Sequence, residues 1–431
     1  MLRVVEHHRT PVYAVAFNQT DTTLASHFAT IGSNCATVYR IHELLPEAMP
    51  IGSTETAVGG GKTAKPKASS CKSKKRRTTQ TLEHVSLETV QHYRDADEEE
   101  SFYCCDWGVL VVDGSSLLAV GGQQRQIKAI NCRTGKVHSV MQAHGGAIHD
   151  LRFHPIQPSL LLSGSADESI RLWHVLTRDC IAVFAGAQGH RDAVLSLDVR
   201  LDGAVFASSG VDGCIKVWDL QSAALRRRIE AATPPMGKAP APSAQPTHKM
   251  PPGCAEPPLP LVVHFPLLSE ASLHRRKKDG FLFYVDCVRW VGDLILSRGS
   301  EGRAVLWMPT GLDTGALVNK PLDAVEMTPN VLGEYHMRSA SGIWFLRFGL
   351  NPRRTLFAMG DARGETSVWE IDRRPVRPLA TFSLPGPASS KPVTVRHTAI
   401  SGDSRYLVCA HDDASVAVWA LPTKSCVPPS A

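Results

Sequence analysis

Short runs of alternating apolar and polar residues recur along this chain in groups of three. The last run of each group reads ATVY (36–39), IKAI (127–130), IRLW (170–173), IKVW (215–218), AVLW (304–307), TSVW (366–369) or VAVW (416–419). The run before it closes on small residues, as in LLAVGG, LLLSGSAD and VFASSGVD. The run before that typically ends in a bulky apolar residue. Alternation of period two over four to eight residues predicts half-buried β-strands. Trp173 and Trp218 stand 218 − 173 = 45 positions apart. A repeat of that length with Trp endings predicts an all-β, seven-bladed WD40 β-propeller over residues 1–424. LRVVE (2–6) has the pattern of a strand but no blade of its own, and the tail after Trp419 is polar and Pro-rich. The N-terminal strand is therefore expected to complete the last blade and close the ring, which removes exposed sheet edges.

Two stretches break the pattern. One spans 44–91 and is rich in Gly, Ser, Lys and Thr, which predicts disorder. The other, 231–262, is Pro- and Ala-rich and reads as an extended linker. The net charge of +6 is concentrated in the first insert. Lys62, Lys65, Lys67, Lys72, Lys74, Lys75, Arg76 and Arg77 supply eight positive charges, and 6 − 8 leaves −2 for everything else. Lys72, Lys74, Lys75, Arg76 and Arg77 form a nuclear-import or DNA-binding pattern, the alternative being a solvated loop. HRRKK (274–278) is a second short basic run. No apolar run approaches the ~20 residues of a membrane span, and MLRVVEHHRT lacks the apolar core of a signal peptide. Eleven cysteines show no CxxC pair or zinc-type spacing, so reduced, intracellular core residues are expected and no metal. No GxSxG, Walker or HExxH motif occurs. The expectation is a non-enzyme without a cofactor. His190 and Asp192, in GHRD, fit a structural hydrogen bond of the repeat.

Function must then lie on the faces or at the central channel. Aligning the innermost strands on their bulky ends puts Tyr13, Tyr103, His149, Leu195, Asp286, Trp344 and Arg396 at one level near a channel mouth, with Phe345 beside Trp344. Aromatic residues make up 6% of the chain, and three of these seven positions are aromatic. Converging rings bind a quaternary ammonium by cation–π attraction. The same rings could equally be packing between blades, and the residues alone leave both readings open.

FATIGSNCATVY (28–39), YRDADEEESFYCCDW (93–107), GHRDAVLSLDVRLDG (189–203) and YVDCVRWVGDLILS (284–297) go beyond generic repeat residues. In order and spacing they resemble the extra sex combs, or embryonic ectoderm development, family. These are the WD40 subunits of Polycomb repressive complex 2. The resemblance covers nearly the whole chain outside the inserts. It implies a nuclear, non-catalytic subunit of a histone H3 methyltransferase complex. Such a subunit reads trimethyllysine of the H3 tail in an aromatic cage, and scaffolds and allosterically activates the catalytic subunit in transcriptional repression. The implied cage is Tyr13, Tyr103, Trp344 and Phe345, with Asp286, Arg396, Arg347 and His149 orienting the peptide. Tyr13 stands where animal members usually have Phe, and Phe345 where they have Tyr. The implied partners are an Enhancer-of-zeste-type methyltransferase, held on the opposite face, the trimethylated H3 tail and the other Polycomb subunits. The basic insert is longer than the animal loop, and the animal N-terminal tail has almost no counterpart, which makes the insert a candidate for nucleosomal DNA contacts. A generic WD40 adaptor, such as a ubiquitin-ligase substrate receptor or a G-protein-β-like scaffold, accounts for the repeats but not for the ring.

Overall fold

The computed structural model describes residues 1–20, 24–43, 85–233, 261–263, 268–270, 284–309, 325–326, 329–337, 342–343, 345–385 and 392–422. They form seven mainly antiparallel sheets around an axis, the blades of a propeller. Blade 3 is typical. Its inner strand Ile148–Phe153 pairs with Leu160–Ser165, then Ile170–His174, then Cys180–Phe184. Blade 7 consists of Val395–Ile400, Tyr406–His411 and Ser415–Ala420, with Leu2–Val5 as its outer strand. Leu2 faces Val418 and Val4 faces Val416 in that register, so the N-terminal strand closes the ring as expected. Glu6 then ties the closure to blade 1. Its buried carboxylate accepts from Thr30 Oγ1 and the Tyr39 hydroxyl, each at 2.7 Å.

The core lies between blades. Facing sheets bury continuous apolar layers, such as Leu162, Leu172, Phe184, Phe206 and Trp218 between blades 3 and 4. Two of these layers carry the same paired buried polar unit. His190 bridges Asp212 Oδ2 at 2.9 Å and Ser208 Oγ at 2.8 Å, and Trp218 Nε1 donates to the same hydroxyl at 2.9 Å. Blade 3 repeats the unit with His144, Asp167, Ser163 and Trp173. The expected His190–Asp192 pair is corrected: the partner is Asp212. Asp192 instead accepts from the Ala193 N–H at 2.7 Å, in the exposed turn. Among the described residues eight cysteines are free thiols.

Both insert boundaries change. Residues 85–91 belong to Val85–Arg94, the outer strand of blade 1. Ala223–Ala232 is a helix whose N-cap Ser222 accepts from the Leu225 N–H. Its Leu225 is buried against the layer between blades 3 and 4, with Ile229 and Ala232 beside it. Leu261–Val263 adds a parallel fifth strand to blade 3. Val325–Glu326 does the same for blade 4. The basic runs 62–77 and 274–278 and the Pro-rich 234–260 lie outside the described residues.

Candidate binding site at the channel mouth

Five of the seven aligned positions share a backbone device. In five blades the ladder between inner and second strand slips by one residue, between Phe102/Cys104, Ile148/Asp150, Val194/Ser196, Val285/Cys287 and Val395/His397. The residues left over are Tyr103, His149, Leu195, Asp286 and Arg396. A bulge leaves one residue outside the ladder and re-aims its side chain. Bulges repeated at one level thus turn a row of strand residues toward the axis. Tyr13 precedes the inner strand of blade 1, its N–H bonded to Ile31 O at 2.9 Å.

Blade 6 departs from the expected strand over 343–348. Its inner strand is only Gly349–Leu350, and Phe345 adopts a left-handed conformation with φ 62°. A non-Gly residue there costs about 1–2 kcal/mol and needs support from its surroundings. Asp286 accepts the Leu346 N–H at 3.1 Å, and Arg298 donates to Ile343 O at 3.3–3.4 Å. The two side chains also pair with each other, and both have 0% exposure. One buried ion pair therefore clamps both sides of the turn that presents Phe345. Burial pushes the Asp286 carboxyl up, against the Arg298 guanidinium.

Three rings meet here. Tyr13 and Tyr103 have centroids 5.2 Å apart at 88°, Tyr13 and Phe345 6.0 Å at 81°, and Tyr103 and Phe345 6.1 Å at 74°. They come from blades 1, 2 and 6 and stand mutually near perpendicular. The Tyr103 hydroxyl donates to Gln123 Oε1 at 3.0 Å, which fixes its tilt. His149 borders two of them, 5.9 Å from Phe345 and 6.1 Å from Tyr103. Trp344, the fourth expected ring, lies outside the described residues.

Two side chains expected to orient a peptide are corrected. Asp286 is sealed in the clamp just described, where it holds the turn instead of standing open at the mouth. Arg347 points down the channel and is 2% exposed. It donates to Asp150 at 3.2 Å, to Leu195 O at 3.0 Å and to His149 O, with its guanidinium 4.6 Å from the Phe345 ring. Burial alone would raise the Asp150 carboxyl, but Arg152, Arg347 and Arg289 hold it well below the usual carboxylate range. Arg396 stays near the mouth, half-buried, and holds Asp412 through two nitrogens. Gln123, Arg298 and Asp412 are supporting residues that the sequence did not mark. Arg298, a lone cation in the apolar run LILSRG, carried the one available signal. At the other end of the channel is a cavity of about 710 Å³ lined by Arg152, Arg289, Arg354, Asp106, Ile156 and Leu201.

The fold and its repeats define a WD40 β-propeller; the WD domain, G-beta repeat model matches residues 135–174 and 178–219. The chain is 32% identical to Polycomb protein esc of Drosophila melanogaster over 96% of its own length and 82% of that protein. It is 32% identical to Polycomb group protein FIE2 of Zea mays over 95% of its length and 87% of that protein. It belongs to the Polycomb esc/FIE family. In the solved structure "Apo ctPRC2 in an autoinhibited state" one chain matches with TM-score 0.71 and 17% identity, each chain covered to 97%. A chain of ctPRC2 in complex with H3K27me3 and H3K27M matches with TM-score 0.71 and 16% identity, over 97% of this chain and 96% of that one.

Proposed function

We propose that this chain is the non-catalytic WD40 subunit of a nuclear Polycomb repressive complex 2, and that its aromatic corner reads trimethyllysine of the histone H3 tail. The carrying observation is the mutually perpendicular arrangement of Tyr13, Tyr103 and Phe345. The three ring centroids stand 5.2–6.1 Å apart, a spacing comparable to the ~6 Å reach of cation–π attraction. Trp344 is the proposed fourth wall. Each wall supplies about 0.5–2 kcal/mol, which after the costs of association corresponds to micromolar affinity. Membership of the esc/FIE family supports the same reading, as does the likeness to a complex that holds H3K27me3.

Arg396 flanks the corner and is the proposed contact for the peptide backbone. The opposite face, with its exposed Val111, Val112, Ile156 and Leu201, is where an Enhancer-of-zeste-type methyltransferase is proposed to dock. Occupancy of the corner would then favour the active state of that enzyme, a coupling typically of about 1–3 kcal/mol. The basic run 72–77 is proposed to serve nuclear import or DNA contact.

Calorimetric titration of the full chain with H3K27me3 and unmethylated H3 peptides tests the corner. Selective binding is expected, weakened about tenfold by Tyr103→Ala, the loss of one desolvated wall, and weakened likewise by Trp344→Ala. Equal or absent binding by the wild type returns the rings to packing.

A further inference from the structure

His149 has unused hydrogen-bonding capacity beside the corner. It sits on the blade 3 bulge, and its ring borders Phe345 and Tyr103 at 5.9 and 6.1 Å. Its Nδ1 lies 3.1 Å from the Val194 carbonyl oxygen, in the inner strand of blade 4. A carbonyl only accepts, so Nδ1 carries the proton and Nε2 keeps a bare lone pair. Among the described residues Nε2 has no hydrogen-bond partner, yet it is not among the sealed, unpaired atoms of the interior. The two nitrogens point to opposite sides of the imidazole. Anchoring Nδ1 on blade 4 therefore leaves Nε2 on the far side of the ring from Val194, in a ring that borders Tyr103 and Phe345. Burial, with the Arg347 guanidinium adding to it against the Val194 carbonyl, pushes the imidazole down to about 4. The ring is neutral at physiological pH and does not repel a cation.

Resting on the reading of the corner as a methyllysine site, we propose that His149 extends its ligand range to dimethyllysine, with Nε2 accepting the ammonium N–H that trimethyllysine lacks. Aromatic walls alone grade methyl states weakly, through desolvation and contact area. An acceptor on the wall adds a polar criterion. A dimethylammonium donates one charge-assisted hydrogen bond into it. A trimethylammonium leaves the lone pair facing a methyl group, and an acceptor built into a site discriminates against a ligand that cannot donate to it.

The experiment titrates the full chain with H3 peptides unmethylated, dimethylated and trimethylated at the H3K27 position, for wild type, His149→Phe and His149→Ala. Wild type is expected to bind the dimethyl peptide within about threefold of the trimethyl one. His149→Phe keeps a ring and removes the acceptor, and should open a trimethyl preference of about tenfold. His149→Ala should show the same direction with weaker binding throughout. Urea unfolding of each variant checks that the fold is intact. A wild type that prefers trimethyl by tenfold or more, with that ratio unchanged in His149→Phe, overturns the role of His149 and leaves the corner standing. A wild type indifferent to methylation overturns the corner itself, and this inference with it.

Discussion

Replacing Asp286 by Asn probes the clamp behind the corner. The substitution keeps the shape of the side chain, and an amide oxygen can still accept the Leu346 N–H that now lies 3.1 Å from the carboxylate. What it removes is the negative charge opposite Arg298, in a site where both side chains are 0% exposed. Leaving one member of a buried ion pair uncompensated costs about 3–5 kcal/mol. Burial already pushes the Asp286 carboxyl above its ordinary value, so desolvation offsets part of what the pair contributes. The expected loss is therefore at the low end, about 3 kcal/mol. The effect on binding follows from the turn. Phe345 is held at φ 62°, and a weakened clamp releases some molecules to an ordinary conformation without that wall. Apparent affinity falls by the fraction of molecules still competent. Urea unfolding followed by circular dichroism reads the first effect, and calorimetry with the H3K27me3 peptide reads the second. At least tenfold weaker binding is expected alongside the lost stability. A variant within 1 kcal/mol of wild type in stability and within twofold in affinity refutes the clamp.

Other sites give sharper structural tests. Ser208→Ala strips the hydroxyl shared by His190 and Trp218; two buried groups lose their partner, so chemical denaturation should show a loss of about 2–4 kcal/mol. In Gly122→Ala the new Cβ would stand 1.9 Å from Ser101 O, which must shift the start of the inner strand that carries Tyr103; weaker peptide binding by calorimetry and a lower melting temperature should appear together, and unchanged binding would place Tyr103 out of reach of that shift. Acid should destabilise the protein through its buried histidines, opposed in part by Asp106, whose carboxyl burial pushes up to about 6. His149 is pushed down to about 4, and His144 and His397 are also lowered, each chiefly by burial. A histidine with a depressed folded value contributes stability that is complete above the unfolded value of about 6.5 and is lost as pH falls toward the folded one. His149 alone should account for about 2 kcal/mol of loss at pH 5. Urea midpoints at pH 7.5 and pH 5 check this, and an unchanged unfolding free energy would contradict it.

The repeat, the blade count and the closing strand were legible because each rests on periodicity, which sequence carries directly. The level of the ring was legible for the same reason: symmetric repeats put Tyr103, His149 and Asp286 at one height. Their fates were not. Alternation says which face of a strand a residue occupies, but a bulge resets that phase, and nothing in FYCCDW or YVDCVRW marks the slip. Asp286 and Arg347 looked like mouth residues because charge usually marks a surface. They are buried because each finds its partner in a different part of the chain, 12 residues away for Asp286 and 197 for Arg347. Asp192 attracted attention by adjacency to His190, whereas the real partner lies 22 residues on, in the next turn. The helix Ala223–Ala232 was masked by the Pro-rich run after it. Its apolar positions 225, 229 and 232 nevertheless follow helical spacing.

If the corner reads a ligand as proposed, a closed ring suits it. Tyr13, Tyr103 and Phe345 are far apart in sequence and sit on blades 1, 2 and 6, with blade 7 between the last and the first. Each is placed by a different device: a bulge for Tyr103, a clamped left-handed turn for Phe345, and for Tyr13 its position at the start of blade 1. Tyr13 and Phe345 approach to 6.0 Å across the blade that Leu2–Val5 completes. That blade is joined to blade 1 through Glu6. Its inner strand is also joined to the neighbouring ones: the Arg347 N–H bonds Arg396 O at 2.8 Å, and the Val15 N–H bonds His397 Nδ1 at 3.2 Å. The distance between two walls of the site is thus set by the step that closes the whole domain. A propeller opened at that seam would keep most of its interblade layers intact, since each blade packs against its neighbours independently, yet it would lose the corner. On the proposed reading of the corner, recognition depends on global closure more steeply than stability does, because the corner sits beside the blade that the N-terminal strand completes.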